Sequence, residues 1–349
     1  MPAEEKKYNP GFDLIRITSM MAVMLIHLTT YLPIPNRWKF LFTWGSAGVP
    51  LFFVLSGFLA VRTFVCGGGG TAAYYKKRAL RILPAYYGAV LAAAVFRQFI
   101  IGDVTGDIFG LGWLRYFLGL NTVLPSNAYD LWNNTYGLWT MSCFLWFYVL
   151  APMVLGRVRS LKGASILLML TFVLSEVWRN WMYALLCPVP GLDELDLLLW
   201  NSPICCFYKF ALGILACVAV KRGKPFEGIL LVAGMCAVLQ ILGAGSVFWC
   251  AVCAVSLIAF ENLKITLPAR WTGLVRLVGR ESYHVYLVHL LAFNIGRWIL
   301  NRWFPLAGKE KYLLWLAFAG TWICLLCGFM NFCEAATKRL FCGIRRADS

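Results

Sequence analysis

The sequence predicts an all-α, polytopic membrane bundle of about ten transmembrane helices with both termini cytoplasmic. Three observations carry this. The 349 residues are 60% apolar and only 14% charged, whereas soluble domains carry about 25% charged residues. The apolar residues recur in runs of about twenty, the length of a helix that crosses a bilayer. None of the runs shows the period-two alternation of a transmembrane barrel. Lipid leaves the helix as the remaining way to satisfy every backbone polar group within a segment.

The spans read at roughly 12–32, 44–65, 81–101, 137–157, 164–185, 197–220, 227–243, 246–262, 282–301 and 312–334. The acidic and basic N-terminal arm, MPAEEKKYNPG, lacks a cleavage-site pattern after the first run, so that span reads as retained rather than as a signal peptide. GlyGlyGlyGly at 67–70 reads as a flexible cytoplasmic loop, since no Lys-Ser/Thr follows as in a phosphate-binding loop. Pro84 suits the first turn of the third span. The stretch 102–136, rich in Gly, Asp and Asn, reads as an outer loop or partly re-entrant lid. Residues 264–280 read as an inner loop, and the tail from Lys338 as a short basic anchor. The chain is thus expected to be a single integral-membrane domain over 1–349, with no internal repeat and no separate soluble domain.

The net charge of +16 does not point to nucleic acid. With the N-terminus inside, Lys and Arg concentrate on the inner segments, as the positive-inside rule requires, and anionic inner-leaflet lipid is their partner. The outer segment before the sixth span carries Asp193, Glu194 and Asp196 instead. The thirteen cysteines lie mostly within apolar runs and read as small buried hydrophobes. The Cys-x-x-Cys spacings at 250–253 and 324–327 fall within apolar runs without partner ligands and suggest no metal.

Against this apolar background the ionisable residues stand out. Arg16 and His27 are eleven residues apart in the first span, about three turns, so they share a helix face about 16 Å apart along the axis. Ionisable groups in a span usually face a bundle interior or wet cavity. At the inner mouth of the third span, YYKKRALRILPAYY holds Lys76, Lys77, Arg78 and Arg81. Arg78 and Arg81 are neighbours on one face, and two guanidinium forks suit a polyphosphate; a plain positive-inside anchor is the other reading. Lys209, within the sixth span, needs a partner or water. It reads equally as cavity lining or as one half of a structural pair. Ser56 and Gly57 read as small residues that let helices approach.

The Arg–x10–His pair, FFVLSGFL at 52–59, the Arg-x-x-Arg with its following Pro, and GRESYHVYLVHL at 279–290 together resemble the integral-membrane acyltransferase-3 family in order and spacing, over residues 12 to about 330. The resemblance implies a ten-helix bundle in the cytoplasmic membrane of a bacterium. Such a bundle moves an acyl group, usually acetyl, from cytoplasmic acyl-coenzyme A to a hydroxyl of an envelope glycan, glycolipid or similar acceptor, without a metal. It implies His27 as the catalytic residue, as general base or as an acyl carrier. Arg16 would position the donor or hold Asp13. Arg78, Arg81 and Lys77 would hold the phosphates of coenzyme A. His289, flanked by Tyr283 and Tyr286, reads either as part of the site or as a buried packing residue, and His284 as an interfacial residue at the cytoplasmic edge.

In the fourth span the chain departs from the pattern. Trp139, Ser142, Phe147, Tyr148 and Pro152 match polysaccharide-modifying members, but Phe144 stands where they carry Glu. Trp139, Ser142 and Tyr148 become candidates for the acceptor side. Glu176 is a candidate replacement carboxylate, with pairing to Arg179 as its plainer reading. Some relatives carry a further hydrolase-like domain for which the ten spans leave no room, so the chain would complete the transfer itself or hand over to a separate protein. A homo-oligomer is left open. The alternatives from other classes are a flippase for lipid-linked sugars, for which the inverted repeats of transporters are missing, and a non-catalytic sensor or assembly module.

Overall fold

The computed structural model describes residues 8–40, 44–65, 70–102, 112–123, 137–186, 199–244, 247–263, 265–304 and 308–347. Residues 67–69 of the expected glycine loop, the acidic segment at Asp193, Glu194 and Asp196, and most of the 102–136 loop lie outside the described residues.

Among the described residues there are eleven α-helices and no strand. They are α1 (Pro10–Tyr31), α2 (Gly48–Val65), α3 (Gly70–Val95), α4 (Gly112–Leu118), α5 (Trp139–Leu155), α6 (Leu161–Leu186), α7 (Pro203–Lys221), α8 (Pro225–Ile241), α9 (Val247–Leu263), α10 (Ala269–Trp303) and α11 (Lys309–Ala347). Six are long and apolar enough to cross a membrane: α1, α2 with its lead-in turn, α3 with the π turn that extends it, α6, α7 and α11. Helices α5, α8 and α9 are apolar but only 17 residues long.

Local chemistry sets the ends. In α1, Pro10 sits in the first turn, where its missing N–H costs nothing. Asn9 caps it by accepting from the Gly11 N–H, while the Asn9 amide donates to the Phe260 carbonyl and ties the cap to α9. In α7, Ser202 caps Cys205 ahead of Pro203. Helix α3 begins a full three turns before the third predicted span, so Pro84 is inside the helix rather than in its first turn. The early turns are exposed and basic, so no apolar run marks them.

The same effect hides two larger features. Residues 269–280, expected as an inner loop, are helical and continuous with the ninth predicted span. Helix α11 likewise runs on past 334 into the basic tail. Both extensions are largely exposed on the early side of Gly279 and beyond Met330.

Helix α7 is the hub, packed on α2, α5, α6, α8 and α9. A second layer joins α3, α10 and α11, and α1 bridges α2 and α10. The α2–α7 crossing rests on reciprocal glycines: a Cβ on Gly57 would overlap the Phe210 carbonyl, and one on Gly213 the Val54 carbonyl. Gly57 therefore serves the close approach expected of it, with Gly213 as the partner. Ser56 faces elsewhere, into a chamber. That chamber opens where the two layers meet, beside Phe144 and Tyr148, which pack against both layers' cores.

Candidate active site

At the end of the bundle where α1 begins and α11 finishes, the two helix extensions wall a vestibule of about 370 Å³, lined by Asp13, Arg16, Arg81, Arg276, Arg280, Tyr283, His284, Asn331, Glu334 and Lys338. Deeper between the layers is a chamber of about 180 Å³. Its polar lining is Arg16, Ser56, Thr63, Arg78, Arg81, Tyr148, Ser282, Tyr283 and Tyr286. Its apolar lining includes Phe52, Leu55, Leu59, Met141 and Phe144. Arg16, Arg81 and Tyr283 line both spaces, so the vestibule and the chamber meet at two guanidinium groups. The vestibule falls in the range of roughly 300–1,000 Å³ typical of small-molecule sites and the chamber below it. The pair has the proportions for a bulky anionic head and a slender end.

Arg16 and Arg78 are held by their surroundings. Arg16 pairs with Asp13, which is buried and also accepts from the Tyr8 hydroxyl at 2.9 Å. Gly279 of α10 makes room for that carboxylate, since a Cβ there would overlap the Asp13 side chain. Arg78 donates to the Thr63 hydroxyl at 3.0 Å and lies over the Tyr148 ring at 4.8 Å and the Tyr74 ring at 5.6 Å. Tyr283 donates to the Ile82 carbonyl at 3.0 Å, joining α10 to α3 beside the junction.

His284, expected at the cytoplasmic edge, lines the vestibule and is buried, 3% exposed. Its Nδ1 meets Glu281 and its Nε2 meets Glu334, each at 2.9 Å, so the ring clamps α10 to α11 on the vestibule wall. Burial works to raise the Glu281 carboxyl, but hydrogen bonds from His284, Asn331 and Arg280 outweigh it and hold the group below its ordinary range.

His27 does not line either space. Its ring lies 5.3 Å from that of His289, centre to centre, and His289 lies 5.9 Å from Tyr286. Tyr286 and Phe52, ring edge to face at 5.3 Å, stand at the inner end of the chamber, with the Tyr286 hydroxyl donating to Thr140 at 2.7 Å. His27 is thus linked to the chamber lining through rings, Tyr286 to His289 and His289 to His27, rather than lining the vestibule or the chamber itself. Helix α10 presents Tyr286, His289 and Phe293 in successive turns toward α1 and α2.

The remaining candidates divide. Tyr148 lines the chamber beneath Arg78. Phe144 lines it too, so the position where a Glu was expected presents an apolar wall to the ligand space. Lys77 is exposed and lines neither space. Ser142 is fully buried and donates to the Gly119 carbonyl, with Trp146 donating to the same oxygen at 3.0 Å. It anchors the α4 segment to α5 rather than facing a cavity. Trp139 packs against Phe53 in the core, 6.4 Å between centres. Glu176 pairs with Arg179 and opens on a shallow groove of α6, away from both spaces. Lys209 lies over the Tyr208 ring at 5.5 Å and lines neither space.

Arg276, Arg280 and Lys338 were missed as site residues. Their signal was present: Arg276 and Arg280 are four apart, as basic neighbours on a helix face are. Among the described residues no group of three or more His, Cys, Asp or Glu is placed to hold a metal ion.

Residues 9–332 match the family described as an acyltransferase domain, the acyltransferase-3 family. Nodulation protein 10 of Rhizobium leguminosarum bv. viciae is 28% identical over 338 residues, covering 83% of this chain and 86% of that protein. Peptidoglycan O-acetyltransferase OatA of Listeria monocytogenes serovar 1/2a is 24% identical over 339 residues, covering 81% of this chain. The match spans 49% of OatA, about half its length. No solved structure matches significantly. With a family match over nearly its whole length, the chain belongs to the acyltransferase-3 family.

Proposed function

We propose that this acyltransferase is a membrane O-acyltransferase with ten spans and cytoplasmic termini, set in the cytoplasmic membrane of a bacterium. In this reading it moves an acetyl or other short acyl group from cytoplasmic acyl-coenzyme A to a hydroxyl of an envelope glycan or glycolipid. The observation that supports it best is the junction of the basic vestibule with the narrow chamber at Arg16 and Arg81. Coenzyme A has the matching shape: a nucleotide head with several phosphate charges that cannot enter hydrocarbon, and a thin pantetheine arm ending in the thioester. The head would rest among Arg81, Arg276, Arg280 and Lys338, and the arm would run past Arg78 toward Tyr286. The relative named as a peptidoglycan O-acetyltransferase lends support to an envelope acceptor.

His27 serves as general base in this scheme. It takes the proton from the acceptor hydroxyl while the oxygen attacks the thioester carbonyl. The carbon–sulfur bond breaks, and the proton passes from His27 to the leaving sulfur, releasing free coenzyme A thiol. The thioester would reach His27 as the Tyr286 and Phe52 rings part, a side-chain movement of the kind that gates many active sites.

The absence of His27 from both linings also favours a second reading, a non-catalytic bundle that binds an acyl-coenzyme A without turning it over. One experiment separates the two. Purified protein in lipid nanodiscs is given labelled acetyl-coenzyme A with and without extracted envelope glycan. Acceptor-dependent thiol release that is lost in His27→Ala, while that variant still binds the donor, supports the enzyme. Donor binding with no release under any acceptor fraction supports the binding bundle. Unchanged release in His27→Ala overturns the mechanism.

A further inference from the structure

His289 is 1% exposed, and its Nδ1 lies 2.7 Å from the Tyr286 carbonyl oxygen. A carbonyl only accepts, so Nδ1 carries the proton and the neutral ring has its lone pair on Nε2. That Nε2 is buried and has no hydrogen-bond partner. Buried polar atoms are nearly always paired, so one left open calls for an explanation.

The other imidazole of this region supplies one. The centres of the His27 and His289 rings are 5.3 Å apart, with their planes tilted by 42°. Two imidazoles joined by an N–H···N bond of about 3 Å, each nitrogen lying about 1.1 Å from its ring centre, have centres about 5.2 Å apart. The ring centres thus stand at the separation such a bond needs, and it forms once rotation of His27 about its side-chain bonds turns a nitrogen toward Nε2. The other rings in contact with His289 are Tyr286, whose hydroxyl is committed to Thr140, and Phe293, edge-on at 5.8 Å. Further out along α1, Tyr31 is engaged with Asn294 and lies 5.9 Å from Arg297.

We infer that His289 is the positioning residue for His27: its fixed Nε2 lone pair accepts the N–H of His27 and thereby commits the other nitrogen of His27 to face the acceptor hydroxyl with a free lone pair. This rests on the acyl-transfer reading and deepens it. A neutral imidazole has one N–H and one lone pair, and unless a partner selects the tautomer only part of the population presents a base. The Tyr286 carbonyl fixes His289, and His289 fixes His27. The proton taken from the hydroxyl goes to the free nitrogen of His27 and from there to the departing sulfur. The N–H shared with His289 stays where it is, so His289 neither gains nor loses a proton over the cycle. Sequence pattern left His289 between site and packing, because the backbone bond that orients it cannot be read from the order of residues.

The test uses His289→Asn and His289→Gln in the full-length protein. Asn reproduces the donor to the Tyr286 carbonyl but has nothing at the Nε2 position; Gln reaches that position with an amide oxygen. We expect His289→Asn to lower kcat about 100-fold, within the range of general-base effects. The KM for acetyl-coenzyme A should not change, and the acidic limb of the kcat–pH profile should shift. Gln should recover at least tenfold over Asn. Equal losses in both variants with an unmoved pH limb, or no loss in either, would overturn the assignment. A second measurement does not depend on turnover or on the variants folding. The chain has three histidines, so nitrogen-15 spectra of the labelled wild type resolve each ring. A single His27 tautomer is expected, and a mixture of both would overturn it. Were the protein to transfer no acyl group at all, the proposed reaction would fail while the tautomer result stood on its own.

Discussion

Arg78 shows how much one side chain's identity can carry. Its guanidinium lies over Tyr148 and Tyr74, gives N–H groups to the Thr63 hydroxyl and the Leu59 carbonyl, and lines the chamber. Lysine keeps the charge but neither stacks as a plane nor offers a fork. A charge-assisted hydrogen bond from the fork to a phosphate is worth about 1.5 kcal/mol, roughly tenfold in binding. Arg78→Lys should therefore weaken acetyl-coenzyme A about tenfold by titration calorimetry, with the melting temperature little changed; undiminished affinity would mean the arginine is only a membrane-edge anchor. At this scale the sequence was informative for residues whose chemistry is costly in lipid. Arg16 stood out because a cation in an apolar run needs a reason, and Arg16, Arg78 and Arg81 all line the chamber. Lys77 and Ser142 carried equally suggestive motif positions, but their directions depend on helix phase and on a carbonyl of a distant loop. Neither is encoded locally.

Between elements, close packing was half legible. Gly57 sits in a run whose small residues announce a helix contact, but nothing local pairs it with Gly213. The reciprocal fit places each Cα against the other helix's carbonyl, so a side chain at either must push α2 from α7. Overpacking typically costs about 1–3 kcal/mol. Gly213→Val should lower the melting temperature of the purified protein and raise its susceptibility to protease. Retention of wild-type stability would show that the crossing is looser than the contact implies. The extensions of α10 and α11 were not legible as helix, and the reason is physical. Hydropathy registers the part of a helix that lies in lipid, whereas the segment 269–278 is largely exposed and carries Arg270 and Arg276. Arg276 and the following Arg280 build the vestibule, so missing the helix meant missing the site. The double variant Arg276→Ala/Arg280→Ala should raise the KM for acetyl-coenzyme A more than tenfold and leave that for acetyl-pantetheine, which lacks the nucleotide phosphates, unchanged. Equal effects on both donors would rule out a phosphate role.

For the molecule as a whole, the consequential fact is that His27 lines neither space, while Tyr286 of the chamber lining contacts His289, the ring beside His27. An enzyme that brings a thioester from one side of a membrane to a hydroxyl from the other must avoid two leaks: ions through the bundle, and water onto the thioester. A ring seal that opens only when the donor arm presses on it answers both, since water excluded from a site cannot compete with the acceptor. In the proposed reaction Tyr286 would be that seal, with its hydroxyl donating to Thr140 on α5 and its ring edge to face with Phe52 on α2. Opening then requires breaking one hydrogen bond and moving one ring. Tyr286→Phe removes the latch and keeps the ring, so it should raise the rate of donor entry with coupling preserved. Tyr286→Ala removes the seal itself and should release coenzyme A from acetyl-coenzyme A in the absence of any acceptor, seen as free thiol plus acetate. If Tyr286→Ala stays fully coupled and as slow as wild type without acceptor, the ring is not the barrier, and the thioester must approach His27 by a route that avoids the chamber.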